Sequence, residues 1–415
     1  MAEMEQHSMG RAPKYDILSP TFFANPYPTL RLMQQEDPIY WDPILNGWIL
    51  TRYEDLPRVL RDPRFSSSRV EQYAHGAPAH QQERLKAYNT FVSSWLAFSD
   101  PPEHTRLRAL ISKAMTPQAM EALKPVIQGK IDLLIEEMKK HRSGDFLAHF
   151  AEPLPTHVFS VLMGVPVADA YLLKDDMMKI MRLFGAGVAS AEEVEHALDA
   201  MTNFKKYCHE HITRRRQSPT DDLLSSLIEA REEGSMLSDE EVVGMLITLM
   251  IAGYETTANL MTNAVYTLLS HPRELEKLSA RPELIHTAVE ELLRYEGPTF
   301  ATFRRATIDT EIRGQRIERD QMVFAFILAA NRDPAHFRDA DVLDIERGEG
   351  KQHLCFSTGI HVCPGAHLAR LEAKMAIVSL LAAFPDMALR TTEAQWTPHM
   401  MLHGMRELLI DYEPG

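Results

Sequence analysis

Residues 356–365 read Phe-Ser-Thr-Gly-Ile-His-Val-Cys-Pro-Gly and place Cys363 in a loop that is punctuated by glycine and proline. The following segment, residues 366–384, carries apolar residues at helical spacing, so Cys363 is predicted to lie at the N-terminus of a helix. The positive end of the helix dipole and the unpaired backbone N–H groups favour a negatively charged sulfur there. The stretch therefore predicts a thiolate that can bind a metal ion.

The loop alone leaves two other interpretations of Cys363 open. A cysteine can be a buried, inert side chain that packs like a small apolar residue. A zinc site is the other alternative, since five nitrogen or sulfur ligands fall within fifteen residues: His353, Cys355, His361, Cys363 and His367. Structural zinc usually takes its ligands as two closely spaced pairs, and the remaining cysteine, Cys208, stands far away without a partner pair. The spacing thus argues against zinc.

The pattern F-x-x-G-x-H-x-C-x-G, followed by A-x-x-A-R ending at Arg370, resembles the haem-binding signature of the cytochrome P450 family. The resemblance covers nearly the whole chain. It implies a mainly α fold with small β-sheets, in which a helix-rich lobe and a smaller β-containing lobe form a single large domain. It also implies haem b as the cofactor, with Cys363 as the axial iron ligand and Phe356 and Gly365 beside it. The chain departs from the family at Ser357, where glycine is common, and we expect this substitution to be tolerated.

Length and composition limit the classes of protein to which the chain can belong. The 415 residues contain no linker of low complexity, so we predict one haem domain, residues 15–415, after a disordered tail, residues 1–14. The net charge of −14 argues against nucleic acid and against anionic membranes as partners. Three cysteines do not make a disulfide framework, and the longest apolar stretch, Val242 to Ala252, is too short to span a bilayer. These features predict a soluble, cytoplasmic protein without a membrane partner, and we also expect a monomer.

Most of the chain is predicted to be helical. Apolar runs on both sides of Asn46-Gly47 predict an early β-hairpin within residues 39–52, because this dipeptide favours a tight primed turn. A second strand-rich segment covers residues 308–326 and is broken at Gly314. Residues 66–97 show no firm periodicity, and we expect an irregular loop that serves as a substrate lid.

A long helix is predicted from a capping box at Ser238 to about residue 270. Its middle is apolar on every side and should be buried, yet it includes Glu255 and Thr256. Judged from the residues alone, Thr256 can simply hydrogen-bond the backbone four residues back while Glu255 faces a solvent channel. Residues 252–257 are similar to the family's oxygen-activation motif. The resemblance therefore implies that Glu255 and Thr256 relay protons and that Ala252 lies beside the haem.

His104 and Arg108 are four residues apart on a predicted helix and so share one face. The resemblance implies that both bind the haem propionates, together with Arg304 and His361. Buried carboxylates need paired cations, and the planar guanidinium group suits them well.

Glu291 and Arg294 form an acid–base pair at i and i+3, which is a weak signal by itself. In the family such an E-x-x-R pair is buried behind the haem and is completed by a third residue. That position corresponds to Val342, with Arg338 and Arg347 nearby. Two solutions remain open: a nearby arginine substitutes, or backbone carbonyls satisfy the pair.

The resemblance implies a monooxygenase that receives electrons from a ferredoxin and an NAD(P)H-dependent reductase. Arg106, Lys113 and Arg370 are predicted to form a basic docking patch for that partner. A peroxygenase driven by hydrogen peroxide is an alternative, although the intact Glu255-Thr256 pair argues against it. A haem-based sensor or ligand carrier is a third.

The predicted substrate pocket is largely apolar. By position in the family, its lining comprises Phe91, Trp95, Leu96, Leu249, Ala252, Phe300 and Ala301. We therefore expect a hydrophobic small molecule of the fatty acid, terpenoid, steroid or macrolide class. The sequence does not discriminate among these.

Overall fold

The computed structural model describes residues 13–68, 79–183, 190–232, 235–390 and 393–413. Within these ranges the chain is mainly helical with small sheets, which confirms the predicted fold class. The proposed N-terminal tail lies outside the described residues except at its end, where Lys14 forms ion pairs with Glu36 and Asp37.

The helices cover most of the described chain. The α-helices are α1 (Pro20–Ala24), α2 (Tyr27–Glu36), α3 (Asp55–Arg61), α4 (Ala79–Ser93), α5 (Glu103–Ala114), α6 (Pro117–Glu121), α7 (Lys124–Met138), α8 (Pro153–Met163), α9 (Val167–Arg182), α10 (Ala191–Gln217), α11 (Leu223–Glu229), α12 (Asp239–Ser270), α13 (Pro272–Ala280), α14 (Ile285–Glu296), α15 (Ile327–Asn331) and α16 (Ala366–Ala383). Short 3-10 turns occur at Leu96–Phe98, Pro282–Leu284, Gly350–Gln352 and Gly359–His361, and Leu147–Ala151 is a π-helix.

The strands are short and form small sheets. They are β1 (Ile39–Asp42), β2 (Gly47–Leu50), β3 (Phe65–Ser66), β4 (Ser143–Asp145), β5 (Arg231–Glu232), β6 (Ser235–Met236), β7 (Ala301–Ala306), β8 (Thr310–Ile312), β9 (Gln315–Ile317), β10 (Met322–Phe326), β11 (Ala388–Leu389) and β12 (Leu409–Asp411). The largest sheet has the order β1-β2-β10-β7-β3, and only its β2–β10 pair is parallel. A second sheet has the order β11-β12-β4.

Two large apolar clusters make up most of the core. One joins α4, α7, α8, α10 and α12, and the other packs the five-stranded sheet against α3, α14 and α16. A third cluster lies between the N-terminal helices and β10. Helix α12 contributes to the first two clusters and therefore runs through the middle of the fold.

The predicted hairpin forms, but its turn differs from the prediction. Asp42 pairs with Gly47, so residues 43–46 make a four-residue loop and the predicted two-residue turn is wrong. The Asp42 carboxylate accepts hydrogen bonds from the N–H groups of Ile44 and Leu45 at 2.9 and 2.8 Å. Asn46 takes a left-handed φ of 48° at the end of this loop. The side chain of Asp42 thus stabilises a longer connection.

The irregular structure expected for residues 66–97 is wrong for Ala79–Ser93, which form α4. The signal for a helix was present, because the buried residues Leu85, Tyr88 and Val92 recur at helical spacing. Residues 69–78 of the proposed lid lie outside the described ranges. Helix α4 is tied to α10 by Arg84, which forms ion pairs with Glu195 and Asp199.

The long central helix is confirmed. Ser238 and Glu241 form the predicted capping box, and α12 continues for 32 residues to Ser270. Its middle is largely buried from Met245 to Ile251, as expected, whereas Ala252 is exposed. Within the described ranges, no individual helix is long and apolar enough to cross a bilayer, although the bent pair Leu147–Met163 and Val167–Met181 passes a test of length and composition when taken together.

Candidate active site

The cysteine loop turns into α16 around Cys363. The backbone N–H of Cys363 donates to the carbonyl oxygen of Phe356 at 2.9 Å. The backbone N–H groups of Gly365 and Ala366 are directed at the Cys363 sulfur, as the N-terminus of a helix allows. A Cβ atom added to Gly365 would lie 3.9 Å from the sulfur. The loop thus closes on itself and presents one thiol.

The helix N-terminus is one of several influences on the Cys363 thiol. The Cys363 side chain is accessible, but the protein around it desolvates the thiol and raises its pKa. The N–H groups of Gly365 and Ala366 and the guanidinium groups of Arg108 and Arg370 act in the opposite direction without outweighing this effect. A thiolate therefore needs a further positive charge at the sulfur, such as a metal ion.

Ser357 adopts a left-handed backbone conformation, with a φ of 59°. Its N–H donates to the carbonyl oxygen of Leu354 at 2.8 Å, while its buried hydroxyl has no hydrogen-bond partner within the described residues. A residue with a Cβ atom pays for this conformation, and glycine does not. The departure from the family pattern is thus a strained position.

Two histidines meet on one side of the cysteine loop. The ring centroids of His104 and His361 are 4.2 Å apart, and His361 Nε2 is 2.9 Å from the hydroxyl of Ser67. His104 is buried, and its Nε2 has no partner among the described residues. Burial lowers the pKa of His104, and the neighbouring cations of Arg108 and Arg304 lower it further.

Arg108 and Arg304 belong to the same group of side chains. Arg304 is buried on β7, where its Nη1 donates to the carbonyl oxygen of Phe303 at 2.8 Å. Arg108, on α5, forms no hydrogen bond or ion pair to any described residue, and burial lowers its pKa. The neighbouring charge that most affects the pKa of Arg108 is that of the Cys363 sulfur, which raises it. The fold therefore gathers two guanidinium groups and two imidazoles near one thiol.

The predicted relay motif, residues 252–257, lies in the middle of α12, where Glu255 and Thr256 are partly buried. Thr256 Oγ1 donates to the carbonyl oxygen of Ala252 at 2.5 Å. This is the hydrogen bond to the backbone four residues back that the sequence allowed as one alternative for Thr256. Gly253 makes room for the ring of Phe159, because an added Cβ atom would lie 2.5 Å from that ring. The side chain that approaches this glycine therefore comes from α8.

Glu255 carries an unusual carboxyl group. Burial, followed by the neighbouring charge of Glu152, raises the pKa of Glu255 to about 7, and the cation of Lys174 counteracts this only in part. Lys174 Nζ is 2.7 Å from Glu152 and 5.5 Å from the centre of the Tyr254 ring. A carboxyl group with such a pKa can give up and recover a proton near neutral pH.

Glu291 and Arg294 form a fully buried ion pair on α14. Arg294 donates from Nε and Nη2 to the two carboxylate oxygens of Glu291, each at 2.8 Å. Arg347 supplies a third member by donating from Nε to Glu291 at 3.0 Å. Arg294 Nη1 also reaches the carbonyl oxygens of Asn331 and Ala340 at 2.9 and 2.8 Å. Both predicted solutions therefore occur: Arg347 replaces the missing third residue, and backbone carbonyls also accept hydrogen bonds from Arg294. The side chain of Arg338 is exposed instead.

The structure brings together only part of the predicted pocket. Four of the residues belong to the first apolar cluster: Phe91, Trp95, Leu96 and Leu249. Trp95 lies against Gly244 of α12, where an added Cβ atom would be 2.8 Å from its ring. Ala252 is accessible.

Phe300 and Ala301 belong instead to the third cluster. The ring of Phe300 packs against Phe22 and Phe326 with centroid separations of 5.8 and 5.3 Å. The ring of Phe300 is therefore directed into the sheet-side core, while the place of Ala301 in the pocket stays a prediction.

The zinc alternative finds no support among the described residues, which contain no group of three ligands suited to a metal ion. Cys355 Sγ donates to the carbonyl oxygen of Leu293 at 3.0 Å, and burial raises the pKa of Cys355 to about 12. His353 contacts Glu290, and His367 contacts Glu121. Each of these potential ligands is therefore engaged elsewhere.

The predicted docking patch consists mostly of paired charges. Arg106 forms ion pairs with Glu103 and Glu241, and Arg370 forms one with Glu290. Lys113 is exposed. Sequence reasoning missed two exposed apolar side chains beside the cysteine, Ile360 and Val362, which are 50% and 40% accessible. The sequence already contained this information, since both residues lie in the cysteine loop within three positions of Cys363.

Comparison with known proteins agrees with this geometry. The family model described as cytochrome P450 matches residues 73–399. The polyketide biosynthesis cytochrome P450 PksS of Bacillus subtilis (strain 168) is 38% identical over 404 residues, which cover 94% of this chain and 96% of the relative. The mycinamicin IV hydroxylase/epoxidase of Micromonospora griseorubida is 38% identical over 370 residues, covering 88% and 89%.

Solved structures give the same result. The structure of P450BioI in complex with an acyl carrier protein ligated to hexadec-9Z-enoic acid superposes with a TM-score of 0.88 at 34% identity. This match covers 95% of the present chain and 99% of P450BioI.

Proposed function

The chain belongs to the cytochrome P450 family of monooxygenases, and we propose that it inserts one oxygen atom of dioxygen into a hydrophobic small molecule by hydroxylation or epoxidation. The observation that carries this proposal is the gathering of His104, Arg108, Arg304 and His361 near the thiol of Cys363. Such a group of cations and imidazoles suits a cofactor that has both a metal ion and carboxylates.

The residues fit a haem. The unpartnered Nε2 of buried His104 and the unpaired guanidinium of Arg108 are matched by the propionates of haem b, and Arg304 and His361 complete the set. Cys363 is the proposed axial ligand of the iron, in a loop that includes Phe356 and Gly365. A thiolate-ligated haem supplies the electron density that favours O–O cleavage. We assign the haem domain to residues 15–415.

In the proposed mechanism, two side chains of α12 handle protons. Glu255 takes a proton from the solvent side, where Lys174 and Glu152 form an ion pair, and passes it inward. Its pKa of about 7 supports this role because the carboxyl group exists in both forms near neutral pH. Thr256 holds a proton at Oγ1, which donates to the carbonyl oxygen of Ala252.

The substrate proposal rests on the apolar pocket. Phe91, Trp95, Leu96, Leu249 and Ala252 remain its proposed lining, and they suit a fatty acid, terpenoid, steroid or macrolide. The relative PksS is named for polyketide biosynthesis, and P450BioI was solved with an acyl carrier protein that bears a fatty acyl group. A polyketide or an acyl chain is therefore the first class to test.

Electrons are proposed to come from a ferredoxin and its NAD(P)H-dependent reductase, because these 415 residues contain no flavin or iron–sulfur motif. The exposed side chains of Ile360 and Val362 beside Cys363, together with exposed Lys113, form the proposed docking site. We further propose a cytoplasmic monomer. Its three cysteines are all free, which suits a reducing compartment.

The proposal is tested by reconstitution. A ligand screen that reads the haem spin state first selects binders, and these are then incubated with protein, ferredoxin, reductase, NAD(P)H and isotope-labelled dioxygen. We expect substrate-dependent NAD(P)H oxidation and one labelled oxygen atom in the product. Equal turnover with hydrogen peroxide alone would identify a peroxygenase, and binding without product would identify a sensor or carrier.

A further inference from the structure

Arg370, the last residue of the haem-binding signature, is not the free docking cation that the sequence predicted. Its guanidinium group forms a bidentate ion pair with Glu290 of α14, with Nε and Nη2 donating at 2.6 and 2.9 Å. The Arg370 side chain is 28% exposed and that of Glu290 is 14% exposed. Partner docking needs an accessible cation, so this pair requires another explanation.

Glu290 also binds the start of the cysteine loop. It accepts a hydrogen bond from His353 Nε2 at 3.2 Å, and His353 Nδ1 accepts one from the N–H of Cys355 at 3.1 Å. An Nδ1 that accepts must lack a proton, so this histidine is neutral, in keeping with the pKa of His353, which burial lowers. Although burial opposes it, the bonds from His353 and Arg370 lower the pKa of Glu290 to about 2. The cluster thus holds one anion and one cation.

The cation of this cluster lies against the cysteine loop. The Arg370 guanidinium is 4.3 Å from the centre of the Phe356 ring, and Phe356 accepts the backbone hydrogen bond of Cys363. A continuous set of contacts therefore runs from Glu290 through Arg370 and Phe356 to the sulfur-bearing residue.

We propose that Glu290 and Arg370 are positioning residues that form a charge-neutral clamp on the cysteine loop and thereby set the reduction potential of the iron. This inference rests on the proposed haem–thiolate function. An unneutralised cation beside the site favours the reduced state and raises the potential, whereas an unneutralised anion lowers it. Because Glu290 and Arg370 neutralise each other, the reduction potential stays between these two limits.

The test is a charge cycle read by the reduction potential of the haem-loaded protein. We expect a positive shift for Glu290→Gln, a negative shift for Arg370→Gln, and a value near wild type for the double variant. Arg370→Lys keeps the charge, so its reduction potential should stay near that of wild type. Arg142→Gln removes a cation that is 87% exposed on the surface and should produce no shift.

The outcomes separate the clamp from a merely structural role. Shifts of the same sign in both single variants, or no shift in either, would overturn the proposal. If Arg370→Gln fails to retain haem, Glu290→Gln and Arg370→Lys still decide, because only the former should shift the potential. A wild-type protein without a thiolate-type carbon monoxide spectrum would instead refute the proposed function.

Discussion

Arg347 donates a hydrogen bond from Nε to Oε1 of Glu291 at 3.0 Å, from a position five residues beyond the place where the family pattern puts a third member of this network. Its Nη2 also donates to the carbonyl oxygens of Asp339 and Val342 at 3.2 and 3.1 Å. The Val342 side chain itself is 56% exposed. The network is therefore complete, with its third charge supplied from further along the chain.

Removing Arg347 should destabilise the fold. Loss of a hydrogen bond to a buried charged group costs about 1.5–3 kcal/mol, and the Arg347 side chain is only 8% exposed. We expect Arg347→Ala to lower the free energy of unfolding by about that amount in denaturant titrations. The matched control is Arg338→Ala, at a side chain that is 90% exposed, which should change it by less than about 0.5 kcal/mol. Equal effects would contradict the role given to Arg347.

Replacing Ser357 with glycine should stabilise the protein. Glycine relieves a left-handed strain of about 1–2 kcal/mol, while its greater freedom in the unfolded chain costs about 0.4–1 kcal/mol. The net gain in the free energy of unfolding should be about 0.5–1 kcal/mol. Ser357→Ala retains the Cβ atom and removes only the unpartnered hydroxyl, so it separates the two causes. A larger gain with alanine than with glycine would rule out strain as the main effect.

Glu372 should make stability depend on pH. Its carboxyl group is buried, one oxygen has no partner within the described residues, and burial raises the pKa from 4.5 to about 8. Between these values the folded state holds a proton that the unfolded state has lost, so stability falls as the pH rises through this window and levels off above it. Unfolding of Glu372→Gln, measured below, within and above the window, should lack this decline. Parallel curves for variant and wild type would contradict the assignment.

Thr256→Ala should separate electron consumption from product formation. Loss of a positioned proton-transfer group typically costs about 10²-fold or more in rate. We expect the variant to bind haem normally and to divert NAD(P)H equivalents to hydrogen peroxide or water. Thr256→Ser keeps the hydroxyl and should retain most of the coupling. The measurement is product formed per NAD(P)H oxidised, and unchanged coupling in the alanine variant would exclude the relay role.

Much of the fold was predictable because its signals are local. The capping box at Ser238, the spacing after Cys363 and the acid–base pair at Glu291 each depend on residues within a few positions of one another. Helix α4 was missed because its buried residues alternate with many polar ones.

The remaining features depend on contacts that no local pattern contains. Arg347 reaches Glu291 across 56 residues of sequence, and Arg370 reaches Glu290 across 80. The direction of the Phe300 ring could not be predicted because it depends on the packing of the sheet against the N-terminal helices. The effect of burial on the Cys363 pKa could not be predicted from the loop because desolvation depends on the whole surrounding fold.

The central claim is that Cys363 is the axial ligand of a haem iron. The most direct measurement is the carbon monoxide difference spectrum of the reduced protein, compared among wild type, Cys363→Ala and Cys355→Ala, with haem content measured separately. The claim predicts a thiolate-type spectrum for wild type and for Cys355→Ala, and its complete loss in Cys363→Ala. A thiolate-type spectrum that persists in Cys363→Ala would contradict it.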